Sequence, residues 1–286
     1  MDHMNDDSLS DGFLESDDAL FHYTKVSVAL EHILPDARLR LSLLRDTNDP
    51  REYKFKLLNM QGWSLPPGAE ELLDRAHPVF DRILRNECRV VCFCTNAPPI
   101  VQTEDEELHQ DPYSSNVGWS KSRMWSQYGE NHRGLCLVLS KAAILQQLAT
   151  VQETLDWFAS GAVTYLKEDR IPRSAVTLDG NLLANQGVER YCSGHIESYH
   201  EALFLTKHVD YRDESEYRFI VADHNGRNES LNISNSLRAV VAGDRTPKVY
   251  FPLIRTLAEK YQAACRHAYW DRGKAHLLQL VAKEKA

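Results

Sequence analysis

Glu214, Glu216 and Arg218 stand two residues apart at the head of an apolar stretch that runs to Ala222. On a strand, a two-residue period puts Glu216, Arg218 and Ile220 on one face and Tyr217, Phe219 and Val221 on the other. Two reactive groups on one face, backed by an apolar face, form the pattern of a strand lining a cleft. A carboxylate so placed can stabilise a positive charge as it develops; the plain alternative is a surface ion pair of little energy. His22 follows Leu20-Phe21. It can bond hydroxyls without titrating, serve as a satisfied structural residue, or pair with another His as acid and base in metal-free RNA cleavage. Trp125 and Tyr128 are three apart and share a helical face. An aromatic face there can hold a flat ring, and core packing explains the same spacing. Asn48-Asp49-Pro50 is turn and helix-cap chemistry. Lys207 and His208 read as cations at a helix C-terminus. Cys92 and Cys94 share one face of a strand. They lack a partner segment with metal-ligand spacing, so they read as buried free thiols.

The elements that must position these residues follow from hydrophobic period and turn residues. Strands are predicted at 20–24, 38–42, 89–95, 134–139, 162–166, 216–222 and 237–242. Helices are predicted at 26–34 (stopped by Pro35), from Pro50 through Leu58, at 70–87, as one turn at 124–128, at 141–150, and at 181–206 with a break near Gly194. An amphipathic helix over 247–266 closes the chain. The polar segment 96–120 reads as a long irregular loop, a length that usually marks function or mobility. Short strands interleave irregularly with helices, which predicts an α+β core rather than a regular βαβ wind. Neither a G-x-G-x-x-G after a strand nor a P-loop pattern is present, which argues against those nucleotide sites.

The 286 residues are 43% hydrophobic and 26% charged, ordinary for a globular chain with a sizeable core. Seven acids and no Lys or Arg occupy the first 18 residues, so of the net charge of −8 only about −1 belongs to the rest. That predicts an acidic disordered tail, 1–18, before a single domain, 19–286. A nearly neutral body does not advertise broad affinity for nucleic acid or membranes. No apolar run reaches the roughly 18 residues of a membrane span, and no secretory signal is visible. The expectation is a cytoplasmic protein with reduced thiols and no membrane partner; the oligomeric state is open.

Several segments, in order, resemble one family. They are Leu20-Phe21-His22-Tyr23-Thr24, Asn48-Asp49-Pro50, Cys92-Phe93-Cys94-Thr95-Asn96, Met124-Trp125-Ser126-x-Tyr128 with Gly134-Leu135-Cys136, and Lys207, Tyr211 with Glu214-Ser215-Glu216-Tyr217-Arg218. The set, spanning about residues 20 to 245, resembles the bacterial DUF2971 family, itself distantly similar to ADP-ribosyltransferases of the His-Tyr-Glu kind. Two departures are Tyr211, where Trp is usual, and the cysteines around Phe93, where Ser commonly takes the second place. The resemblance implies an ADP-ribosyltransferase-like split β-core of short strands with surrounding helices. It implies NAD as substrate, without a metal, and a macromolecular acceptor, a nucleic-acid base or a protein side chain. His22 would contact the adenosine ribose, Tyr128 would stack on nicotinamide, and Glu216 would be catalytic at the nicotinamide ribose. Tyr23, Thr24, Asn48, Asp49 and Ser126 would complete the cofactor site. Glu214-x-Glu216 is similar to the E-x-E of another branch, in which the second Glu is catalytic. Departure of nicotinamide leaves an oxocarbenium-like ribosyl cation, which a nearby carboxylate stabilises. The implied setting is a bacterial toxin or phage-defence effector. The alternatives are an NAD glycohydrolase, or a nucleotide-binding or partner-interaction module without turnover.

Overall fold

The apolar runs become strands, and the most apolar of them becomes the centre of the sheet. The computed structural model describes residues 12–47, 58–62, 67–98, 100–102, 108–110, 117–167 and 172–280. Its strands in chain order are β1 (Ala19–Thr24), β2 (Arg38–Arg40), β3 (Ser42–Leu43), β4 (Asn59–Gln61), β5 (Cys88–Thr95), β6 (Ile100–Gln102), β7 (Leu108–Gln110), β8 (Leu135–Ser140) and β9 (Trp157–Ala162). They continue as β10 (Thr164–Leu166), β11 (Thr177–Asp179), β12 (Thr206–His208), β13 (Glu216–Ala222), β14 (Ser230–Asn232), β15 (Leu237–Ala242), β16 (Ala264–Asp271) and β17 (Lys274–Gln279). A mixed sheet runs in the order β17-β16-β15-β8-β1-β5-β13-β9, with β3 added on β5. A smaller sheet runs in the order β12-β10-β6-β7. The fold is mixed α+β.

β8 is buried at every position, as a strand covered on both faces must be. Leu135, Leu137 and Leu139 enter one core cluster, and Cys136 and Val138 enter another. β13 follows its predicted alternation: Tyr217, Phe219 and Val221 pack in the first cluster, Ile220 packs in a separate one, and Glu216 and Arg218 are also buried. Between the two acids, Ser215 takes a left-handed backbone (φ 43, ψ 59). Its carbonyl accepts from both the backbone N–H and the hydroxyl of Thr95, each at 3.0 Å, so the bend before β13 is fastened to the end of β5.

The feature that shapes the site is a change of partner along one edge of β5. β1 pairs with β8 over all six of its residues, but with β5 only at Leu20↔Thr95 and Phe21↔Cys94. Further along the strand, β3 pairs with β5 at Ser42↔Val90 and Leu43↔Arg89. β1 and β5 therefore part after Phe21. Gly118 wedges against this point: a Cβ there would sit 2.1 Å from Phe21 Cδ2, so only glycine fits.

Several elements differ from the sequence reading. The segment 96–120 is not wholly irregular, since β6 and β7 form a hairpin within it. The helical break falls at Gly187, whose φ of 83 suits glycine alone, while Gly194 lies inside the helix Val188–Ser198. Lys207 and His208 do not end a helix; they lie on β12, paired with β10. The closing helix stops at Glu259. Gln262 then takes a positive φ of 57, and the chain leaves as β16, parallel to β15, and returns as β17. Long-range pairing with β15 decides this against the helical period. The acidic stretch meets the body before residue 18: Leu14 is buried, and the Asp18 carboxylate accepts from the Ala142 N–H at 2.7 Å at the start of the helix Lys141–Thr150. The predicted helix from Pro50, with Asn48 and Asp49, lies outside the described residues.

Candidate functional site: a cavity where two strands part

A cavity of about 270 Å³ lies where β1 and β5 diverge. Phe21, His22 and Tyr23 line it from β1, Val90 to Cys94 from β5, and Glu216 and Arg218 from β13. Lys207, Glu214, Tyr128 and Met124 contribute from neighbouring elements, and Arg40, Ser42, Asp46 and Thr47 from the segment around β3. Of the residues singled out in the sequence, His22, Tyr23, Tyr128 and Glu216 thus come together. Thr24 and Ser126 are not among the lining residues; Thr24 is buried, and the exposed Ser126 bonds Asn131.

The chemistry concentrates in four buried charges. Arg218 grips Glu216 through two parallel bonds, Nε to Oε1 at 2.9 Å and Nη2 to Oε2 at 3.0 Å, and donates Nη1 to the Phe204 carbonyl at 2.7 Å. Lys207 Nζ donates to Glu214 Oε2 at 2.7 Å and to Glu216 Oε2 at 3.3 Å, and sits 4.5 Å from the centre of the Tyr211 ring. Tyr128 donates its hydroxyl to Glu214 Oε1 at 2.9 Å. The Glu216 backbone N–H donates to the buried Tyr165 hydroxyl at 2.9 Å. Among the described residues, two acids face two bases, and this pairing offsets the cost of taking the charges out of water. The pair Glu216–Arg218 is therefore not the surface pair weighed from the sequence.

The two carboxylates are poised differently. Burial alone would raise both. At Glu214 it prevails over Lys207, and Glu216 adds to it, so the carboxyl lies above its ordinary range. At Glu216 burial is outweighed by Arg218 and Lys207, which lower the pKa to about 2. Glu216 is thus a fixed anion at neutral pH. The Cys92 thiol is pushed well up, by burial and then by the Glu216 charge, so it is no nucleophile here.

His22 sits in the gap between the strands. Its Nδ1 lies 3.2 Å from the Cys92 carbonyl. A carbonyl only accepts, so Nδ1 carries the proton and Nε2 of the neutral ring is an acceptor. Burial lowers the His22 pKa, with the Cys92 bond opposing, which favours that neutral form. The arrangement offers a fixed anion, a neutral acceptor and a phenol around one small space.

From the sequence, Lys207 reads as a cation at a helix end and Arg218 as sharing a face with Glu216, and neither is assigned to the site. The shared face of Glu216 and Arg218 was a usable signal. Nothing local links Lys207 to the acids, because the connection runs through the turn at Val209–Glu214.

Fold and site together define a mixed α+β protein built around a charge-paired cavity at a strand divergence. Residues 124–219 match the model of a family described as protein of unknown function (DUF2971). The matched segment holds Tyr128, Lys207, Glu214, Glu216 and Arg218, and leaves His22 and Cys92 outside it. No curated protein and no solved structure matches the chain. Among the described residues, no helix is long and apolar enough to cross a membrane.

Proposed function

We propose that the cavity takes the nicotinamide-ribose end of NAD and that the protein is an ADP-ribosyltransferase-like enzyme. It would transfer ADP-ribose to a macromolecular acceptor, a nucleic-acid base or a protein side chain, as a bacterial toxin or phage-defence effector acting in the cytoplasm. One observation carries the reading: His22, Tyr128 and Glu216, spread over 194 positions of chain, line a single cavity. An anionic carboxylate beside the sugar stabilises the ribosyl cation as the bond to nicotinamide breaks. The pKa of about 2 keeps Glu216 in that anionic form. His22 Nε2 can accept from a ribose hydroxyl. The cavity volume, about 270 Å³, lies just under the ~300–1,000 Å³ usual for whole-ligand pockets. The reading therefore seats one end of the dinucleotide and leaves the rest at the mouth.

A second reading, nucleotide binding without turnover, is favoured by the grip of Arg218 on both Glu216 oxygens. A sugar hydroxyl has to compete with Lys207 for what remains of Glu216. Incubation with NAD separates the two. Turnover predicts nicotinamide release that falls about 10²–10³-fold in Glu216→Gln, the usual cost of losing one transition-state partner. Retention of labelled ADP-ribose on the acceptor marks transfer, and its absence marks hydrolysis. A rise in melting temperature with NAD or ADP-ribose but no release selects the binding module. No stabilisation and no release rejects both.

A further inference from the structure

The cations of the cavity are not equivalent. Lys207 and Arg218 are buried and committed to Glu214 and Glu216. Arg40 lines the same cavity but is exposed, so it stands at the mouth. Alternation puts it there: Leu39, Leu41 and Leu43 are buried, and Arg38, Arg40 and Ser42 share the opposite side of the extended segment. Arg40 is in register with Ser230 across β2 and β14, yet the Ser230 hydroxyl accepts from Arg38 Nη1 at 3.2 Å. Asp46, the acid on the rim, lies 4.0 Å from Arg45 Nε. Among the described residues, the Arg40 guanidinium has no hydrogen bond or ion pair. It is a planar, permanently charged fork at the opening of a cavity whose described interior charges are paired with one another.

We propose that Arg40, with the Ser42 hydroxyl two residues on, forms a phosphate-recognition subsite at the mouth of the cavity, taking the pyrophosphate of a dinucleotide whose sugar-and-base end enters below. This rests on the NAD reading. A guanidinium matches phosphate oxygens through two parallel bonds. Ser42 adds a neutral donor on the same side. The described carboxylates inside are already paired with Lys207 and Arg218, so an anionic group is recognised where it remains in contact with water, and the nicotinamide-ribose end, a pyridinium cation, enters on the side of Glu214 and Glu216.

The test compares wild type with Arg40→Gln, a change on an exposed side chain that leaves the buried cluster intact. Binding of NAD, nicotinamide riboside and inorganic pyrophosphate is measured by calorimetry at fixed low salt. Loss of a charge-assisted pair predicts NAD and pyrophosphate affinity reduced about tenfold to hundredfold, with nicotinamide riboside unchanged because it has no phosphate. Wild-type binding of NAD should also weaken with added salt more steeply than that of the variant. Equal effects on NAD and nicotinamide riboside, or no effect on NAD, overturn the subsite. The two readings fail separately. If wild type binds pyrophosphate through Arg40 but releases no nicotinamide from NAD, the subsite stands and the transferase reading falls. If wild type binds neither pyrophosphate nor NAD, the subsite falls.

Discussion

Replacing Lys207 with Met tests whether the buried cluster works as one unit. Lys207 Nζ lies 2.7 Å from Glu214 Oε2 and 3.3 Å from Glu216 Oε2, and the side chains of Lys207 and Glu214 are 7% and 4% exposed. Met keeps most of the apolar stem, so the loss is electrostatic. Glu216 retains Arg218, and the uncompensated charge falls on Glu214. Removing one partner of a buried pair costs about 3–5 kcal/mol, and the lost contact with the Tyr211 ring adds about 0.5–2 kcal/mol. The Glu214 carboxyl is already held above its ordinary value of 4.5 by burial, against the pull of Lys207; without that pull it rises further. A group with a raised folded pKa favours the fold below its unfolded value, and that advantage fades as pH climbs through the folded value. The deficit of Lys207→Met is therefore largest at pH 8 and shrinks toward pH 5. Glu216 runs the other way. Its depressed pKa of about 2 stabilises the fold above 4.5 and is lost as pH falls toward 2, so the comparison stops at pH 5. Guanidinium unfolding of both proteins at the two pH values gives the deficit from the midpoint shift at constant slope. Adding Glu214→Gln to the Met variant should restore at least half of the loss at pH 8, since a neutral amide needs no counter-ion. A deficit under about 1 kcal/mol at pH 8, or the same deficit at both pH values, would refute the coupled cluster.

Two further stability predictions follow from the backbone beside the site. Ser215 has φ 43 and a buried hydroxyl with no hydrogen-bond partner among the described residues. Ser215→Gly relieves about 1–2 kcal/mol of left-handed strain against about 0.5–1 kcal/mol of added chain entropy, so the melting temperature should rise; a fall would show that the bend is unstrained. Gly118→Ala drives a methyl to 2.1 Å from Phe21 Cδ2, which should cost about 1–3 kcal/mol of overpacking. Pairing it with Phe21→Leu should recover part of that loss in a denaturant titration, and additive losses would place the clash elsewhere.

Much of the local structure was legible in the residues. The Leu39–Leu41 alternation, the all-apolar run of β8 and the two faces of β13 were each read from spacing, because a strand's side chains obey a fixed two-residue period whatever surrounds them. The site was partly legible: Glu216 and Arg218 share a face by period alone, and Trp125 and Tyr128 share one by the helical turn. Outcomes were poorer where two periods fit one segment. The helical period carries on to Arg266 in the sequence, but the helix ends at Glu259 and pairing with β15 takes Ala264 to Arg266 into β16.

The residue types and their order established which side chains could act together: a Glu at the head of one apolar strand, an Arg on the same face of it, and a His within another. Chain folding decided which of them meet. β1 changes from neighbour to wall of a cavity because β3, not β1, pairs with β5 at Val90. Lys207 reaches two acids seven and nine residues later because β12 and the turn after it bring them within 3.3 Å. Local spacing carries side-chain direction along one element. The balance of buried charge is a property of elements that touch, and only the tertiary structure brings them into contact.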